Sequence, residues 1–327
     1  MNDDQLMALW SKASFVPRLV ASSIKISEAA GGIIKNVMLG GDLKIIDKSE
    51  AGQPADLQTE ADRRAQFCIV QSLQKHFTKL KIIGEEDITS ACPEIEAAFD
   101  VTPLQLNCSE EISSVKEEDV VVWVDPLDGT SEVALALKNK NAALLEQVTV
   151  LIGVAHKGKP IAGIIHQPYF NKTGRTIWAI HGCGIHGIIP ASTQSEKVVV
   201  TTRSHLSDSV ISALDALKAE GLADQVLKVG GAGYKVIKII EGCAAYVFAS
   251  AGCKKWDTCA VEAVLQASGG NLTDISGRQI VYSPHVQKNN TGGVLATANW
   301  VSHQNYVESI PQALKDSLPE FCTKAKQ

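Results

Sequence analysis

The sequence predicts a mixed α/β protein, and three observations carry that prediction. Residues 119–192 are strand-rich, running through "VVVWV", "VTVLIGVA", "PIAGIIHQP" and "RTIWAIHGCG". Beyond them, strand and helix patterns alternate to about residue 270, as in an α/β unit. Ahead of both lie two long segments with helical periodicity.

In chain order, "LVASSIKISEAAGGIIKNVM" places Val20, Ile24, Ser27, Gly31, Ile34 and Met38 on one face of a helix. Its small residues permit close packing. "GQPADLQ" reads as a turn. A second helix over about 58–77 aligns Ala65, Ile69, Leu73 and Phe77. "KLKIIGEED" is a short strand ending in acids, and 89–116 is an irregular polar excursion. After the strand-rich block come the strand "VVVTTRSH" and the helix "SDSVISALDALKAEG". "QVLKVGGAGYKVIKIIEG" is strand, glycine turn and helix; "AAYVFAS" is a strand and "WDTCAVEAVLQASGG" a helix. The change of pattern puts a boundary near residue 190, dividing an N-terminal α+β domain, 1–190, from a C-terminal α/β domain, 191–327.

Composition narrows the function. The 327 residues are 45% hydrophobic and 20% charged, with net charge −5. Lysines and arginines are dispersed, which argues against a nucleic-acid polymer as partner. No apolar run approaches the roughly 18 residues a membrane span needs. The opening "MNDDQLMALW" is acidic where a secretion signal is basic. The eight cysteines are scattered without C-x-x-C spacing, so they are expected to be reduced thiols of a cytoplasmic protein. No protein partner is readable.

The chemistry concentrates in "VVVWVDPLDGTSE". A strand buried on both faces ends at Asp125. Pro126 has no N–H for a ladder, so regular pairing is expected to stop there. Gly129 eases the turn that follows. Asp125 and Asp128 are then held together at a strand end, where they repel unless a cation or proton neutralises them. With the Leu127 carbonyl they form a hard-oxygen set of the kind Mg²⁺ accepts. Taken alone, "DPLDGT" is equally an ordinary turn. Other acids tip the balance: Glu85, Glu86 and Asp87 end another strand. Asp257 opens a helix, where it also suits a cap, and Asp62 lies in a first helical turn, where the dipole favours it. The haloacid-dehalogenase pattern D-x-D-G-T competes, but the spacing here is D-x-x-D-G-T. His181, Cys183 and His186 in "HGCGIH" lack a fourth nearby ligand and read as a glycine turn. "GGAG" ahead of a helix offers backbone N–H groups to an anion, and Lys235 adds a charge placed away from the acids.

Together "ADLQTEAD", "IIGEED", "WVDPLDGT" and "KKWDTCAVEAVL" resemble the lithium-sensitive, magnesium-dependent phosphomonoesterases of the inositol monophosphatase superfamily. The likeness spans nearly the whole chain. "AIHGCGIHG", "TTRSH", "VGGAGYK" and "AYVFASAGCKKWDTCA" resemble its 3′(2′),5′-bisphosphate nucleotidase branch. The resemblance implies a layered αβαβα sandwich and hydrolysis of the 3′-phosphate of adenosine 3′,5′-bisphosphate. Phosphoadenosine phosphosulfate and inositol 1,4-bisphosphate are further implied substrates. It implies two or three Mg²⁺ ions, held by Glu85, Asp125, the Leu127 carbonyl, Asp128 and Asp257, and inhibition by Li⁺. It makes Asp62 and Thr130 the water-activating pair, and Thr202, His205, Gly231 and Lys235 the nucleotide contacts. The alternatives are an inositol phosphate phosphatase with the same metal chemistry, or a catalytically weak nucleotide-binding relative. The stretch 133–147, longer than the branch leads one to expect, and Tyr234 bear on access to the pocket.

Overall fold

Two helices open the chain. α1 (Asp3–Lys12) is fixed by a capping box between Asn2 and Gln5, a start signal that the acidic charge of this stretch masks. α2 (Phe15–Gly40) takes the long apolar pattern and buries Leu19, Val20, Ile24, Ile33 and Ile34. The structure is a computed structural model that describes residues 2–41, 43–49, 57–86, 95–192, 194 and 196–319. Asp87 and most of the expected "GQPADLQ" turn lie outside the described residues.

Strands β1 (Ile46–Asp47) and β2 (Leu57–Gln58) pair antiparallel. α3 (Glu60–His76) starts after Thr59, whose Oγ1 accepts the N–H groups of Ala61 and Asp62. Next come β3 (Lys81–Gly84), the short α4 (Glu110–Ser113) and β4 (Val120–Asp128). α5 (Thr130–Asn139) follows, then β5 (Thr149–His156), β6 (Lys159–Gln167), β7 (Arg175–Ile180) and β8 (Ile185–His186). These strands form a six-stranded sheet in the order β3-β4-β5-β6-β7-β8, antiparallel except for β3 with β4.

The later part holds β9 (Val198–Thr202), α6 (Asp208–Ala219), β10 (Gln225–Val229) and α7 (Ala232–Ile240). Then come β11 (Ala245–Phe248), β12 (Cys253–Lys254), α8 (Lys255–Ala267), β13 (Asn271–Thr273), β14 (Asn289–Asn290) and β15 (Val294–Thr297). α9 (His303–Ser309) and α10 (Gln312–Ser317) end the description. The second sheet has the order β10-β9-β11-β15-β13, with β10, β9 and β11 parallel. α2 and α3 cover one face of the first sheet, α7 and α8 fill the space between the sheets, and α6 and α9 lie outside the second. The result is a layered αβαβα sandwich.

The sequence of β4 states its place in those layers. Val120, Val122 and Val124 enter the core beneath α2 and α3, whereas Val121 and Trp123 enter the core between the sheets. α8 approaches very closely there. A Cβ at Gly153 or Gly163 would strike the backbone of Ala260, so only glycine lets helix and sheet meet. Pairing does not stop at Pro126. β4 runs on to Asp128, because a bulge sets Pro126 and Leu127 against Val150 alone and absorbs the missing donor.

Glu262 of α8 lies buried between the sheets, where it accepts a hydrogen bond from the Tyr282 hydroxyl. Burial pushes its carboxyl from the ordinary 4.5 up to about 8. Its protonated form therefore favours folding, and that stability is lost as pH rises from about 4.5 through about 8. Glu262→Gln should match wild type in thermal melts near pH 4 and exceed it above pH 8, by roughly 2–4 kcal/mol. Equal pH dependence in both proteins would show that Glu262 stays ionised in the fold.

Candidate active site

The bulge brings Asp125 and Asp128 to the end of β4, 2% and 8% exposed. Asp125 Oδ1 accepts the Leu127 N–H at 3.0 Å, which fixes the turn. Gly129 takes φ +99° and opens α5, so Thr130 stands at the first helical position. The Thr130 hydroxyl lies 3.0 Å from Asp62 Oδ1 and 3.1 Å from the Leu127 carbonyl. It has one proton and gives it to one of these acceptors at a time, Asp62 being the charged one. Asp62 Oδ2 accepts the Thr59 N–H at 2.8 Å and the Thr59 hydroxyl. Burial pushes the Asp62 carboxyl up to about 6, against the opposing pull of the Thr59 bonds.

Asp62 and Asp257 occupy the same local position, the third residue of a helix. Asp257 Oδ2 accepts the Lys254 N–H at 2.8 Å, as Asp62 accepts that of Thr59. Their capping role and their place in the acid group are thus compatible. Burial also pushes Asp257 up to about 6, with Asp128 adding repulsion. Asp125 is pushed well up by burial, then by Glu85, Asp128 and Asp257. Glu85 is pushed well up by burial and by Asp257 and Glu86, although 21% of its side chain reaches solvent. Among the described residues no three His, Cys, Asp or Glu side chains close tightly enough to grip an ion. The acids instead stand as mutually repelling charges whose oxygens rest on protein donors. Hard carboxylate oxygens in this state fit a divalent cation such as Mg²⁺, which would relieve the repulsion.

Asp128 has a second function that its motif does not reveal. Oδ1 accepts the Ala232 N–H and Oδ2 the Gly233 N–H, both at 2.8 Å, and Oδ2 also accepts the Thr149 hydroxyl at 2.7 Å. The α7 N-terminus, expected from "GGAG" to receive a ligand anion, is in fact occupied by this carboxylate. Gln147 Oε1 accepts the Gly230 N–H at 2.7 Å and Arg203 Nη2 at 3.1 Å, while Arg203 Nη1 reaches Glu132 at 3.4 Å. A Cβ at Gly230 would meet the Glu132 carboxyl, so Gly230 lets that side chain lie against the strand end. Glu132, Gln147 and Arg203 are therefore residues that sequence reasoning missed. The only signal was an arginine near the end of the predicted strand "VVVTTRSH".

Thr202 ends β9 in register with Val229, which puts it beside Gly230 and Gly231 at the carboxyl ends of two parallel strands. That is where open α/β sheets receive ligands. Thr202 Oγ1 accepts the His205 N–H at 3.2 Å, and His205 is half-buried. Lys235 is not placed away from the acids. It is buried, its ammonium 5.2 Å from the Tyr246 ring, in the field of Asp128, Glu132 and Asp257. Burial pulls its pKa down and those acids pull it back up. Tyr234 lies half-buried beside the Lys238 ammonium.

The unusual stretch 133–147 continues α5 to Asn139 and then forms a 3₁₀ turn over Ala142–Gln147 that delivers Gln147 to the clamp. Lys48, also unanticipated, reaches Glu86 at 2.8 Å and Glu85 at 3.7 Å. His186 stacks on Trp178 with ring centroids 4.0 Å apart, as part of the strand after the glycine turn.

The inositol monophosphatase family model matches residues 18–315. The chain belongs to the inositol monophosphatase family. Members of this family are metal-dependent phosphatases. Human 3′(2′),5′-bisphosphate nucleotidase 1 is 45% identical over 323 residues, covering 94% of this chain and 99% of the relative. The protein of the same name from Dictyostelium discoideum is 37% identical, covering 92% and 98%. Among solved structures, the extragenic suppressor protein suhB of Bartonella henselae superposes with TM-score 0.64 at 18% identity, covering 90% of this chain and 98% of that one. An inositol monophosphatase of Thermotoga maritima gives 0.62 at 20% identity, covering 91% and 98%. At those identities the superpositions establish the family fold.

Proposed function

We propose that the chain is a magnesium-dependent 3′(2′),5′-bisphosphate nucleotidase that converts adenosine 3′,5′-bisphosphate into AMP and phosphate. The observation carrying this reading is the Thr130 hydroxyl hydrogen-bonded to the buried Asp62 carboxylate beside Asp125, Glu85 and Asp257. The names of the relatives support the substrate. Glu85, Asp125, the Leu127 carbonyl, Asp128 and Asp257 would hold Mg²⁺, which would supply charge neutralisation at the phosphoryl oxygens and lower the pKa of the attacking water. Li⁺ is expected to inhibit.

The chain's own groups do the rest. Thr130 points its hydroxyl proton at Asp62, which leaves an oxygen lone pair to accept from the attacking water. Asp62, raised to about 6, is matched to hold the proton that this water gives up near neutral pH. No covalent phosphoenzyme is required. Thr202, His205 and Gly231 border the nucleotide at the strand ends, and the Lys235 charge stands behind them. The scattered cysteines support a cytoplasmic setting.

The test is product analysis with adenosine 3′,5′-bisphosphate and Mg²⁺. Release of phosphate with AMP keeping its 5′-phosphate is expected. Adenosine 3′-phosphate as product, or no release, would overturn the reading.

Lys235→Met keeps the buried volume and removes the charge. It should lower kcat/KM for the nucleotide roughly tenfold to hundredfold, the loss of about 1.5–3 kcal/mol from a charge-assisted contact. A small phosphate ester should lose less. Equal proportional losses would assign Lys235 to balancing the acids alone.

A further inference from the structure

Cys108 and Cys183 stand 75 residues apart in sequence, yet their sulfurs lie 3.2 Å apart. This is the one thiol–thiol contact among the described cysteines. We propose that they form a reversible dithiol site that closes to an intramolecular disulfide when it meets a low-molecular-weight disulfide such as oxidised glutathione.

The elements hold the pair in place. Cys183 occupies the turn between β7 and β8, where its N–H donates to the Ile180 carbonyl at 2.9 Å. Gly182 and Gly184 flank it at φ +76° and +81°, and a Cβ at either would meet nothing within 4 Å. The turn therefore opens to solvent and admits a small oxidant. Cys108 lies just ahead of α4 and packs, half-buried, on the core beneath α2 and α3. Closing to a bond of about 2.05 Å asks the sulfurs to approach by roughly 1.1 Å.

The roles of the two thiols follow from their settings. Both thiols are half-buried against the same core, but open space flanks Cys183 at Gly182 and Gly184, so a small disulfide reaches Cys183 first. Cys183, in its open turn, attacks first. Its thiolate displaces one thiolate from the small disulfide and leaves a mixed disulfide on Cys183. Cys108, giving up its proton, then attacks Cys183 Sγ and expels the second small thiolate. The protein loses two protons and two electrons, and the small disulfide gains them. The product ties the 95–116 excursion to the edge of the six-stranded sheet. It also closes a long loop in the unfolded chain, which stabilises the fold. The site makes no use of the acids that define the phosphatase.

The test combines peptide mapping with thermal melts of the full chain after oxidised glutathione, before and after dithiothreitol. Wild type should yield one Cys108–Cys183 cross-linked peptide and a melting temperature several degrees higher, both reversed by dithiothreitol. C108S should stop at a glutathione adduct on Cys183, with no rise, and C108A should do the same. C183S should lose the cross-link with phosphatase activity unchanged. A wild-type digest in which both cysteines stay reduced, or carry separate glutathione adducts, would overturn the proposal even if every variant failed to fold.

Discussion

Asp62→Asn should lower kcat by about 10²–10⁴ while Mg²⁺ affinity stays near that of wild type. The amide keeps an oxygen for the Thr59 N–H, so the start of α3 survives. What disappears is the carboxylate that receives the Thr130 hydroxyl at 3.0 Å and takes up a proton. Steady-state kinetics with calorimetric Mg²⁺ titration separates the two properties. A loss of metal affinity in proportion to turnover would make Asp62 a ligand rather than a base.

Asp125→Asn should act oppositely on metal and fold. Asp125 is buried and repelled by Glu85, Asp128 and Asp257. Removing its charge should weaken Mg²⁺ binding and turnover together, as chelation of wild type should abolish turnover until Mg²⁺ returns. It should also raise the melting temperature in chelator, because one repelling carboxylate is gone, and shrink the further rise that Mg²⁺ produces. Melting curves with and without Mg²⁺ measure both effects. An unchanged Mg²⁺-induced rise would remove Asp125 from the ligand set.

The parts of this site legible in the sequence are those written in local pattern. The apolar run before Asp125 announced a strand buried on both faces, and Val120–Val124 alternate between two cores. Asp62 and Asp257 sat where helix starts were visible. The unread parts are contacts between distant segments. Nothing near Asp128 shows that its oxygens hold the amides of Ala232 and Gly233, 104 and 105 residues away. For the same reason "GGAG" looked like an empty anion site and Lys235 like a charge apart from the acids. The bulge at Pro126 was missed because a missing donor can be absorbed as well as end a strand. The stretch 133–147 stands out in the sequence only by its length, which bears on access to the pocket. Only the fold reveals that Gln147 turns inward to join Gly230 and Arg203.

The decisive measurement is kcat/KM for adenosine 3′,5′-bisphosphate against inositol 1-phosphate, each with Mg²⁺ and with excess chelator. A strong preference for the nucleotide, present with Mg²⁺ and absent in chelator, is the expected result. Preference for inositol 1-phosphate would transfer the site to inositol phosphates, and full nucleotide hydrolysis in chelator would refute the metal-dependent mechanism itself.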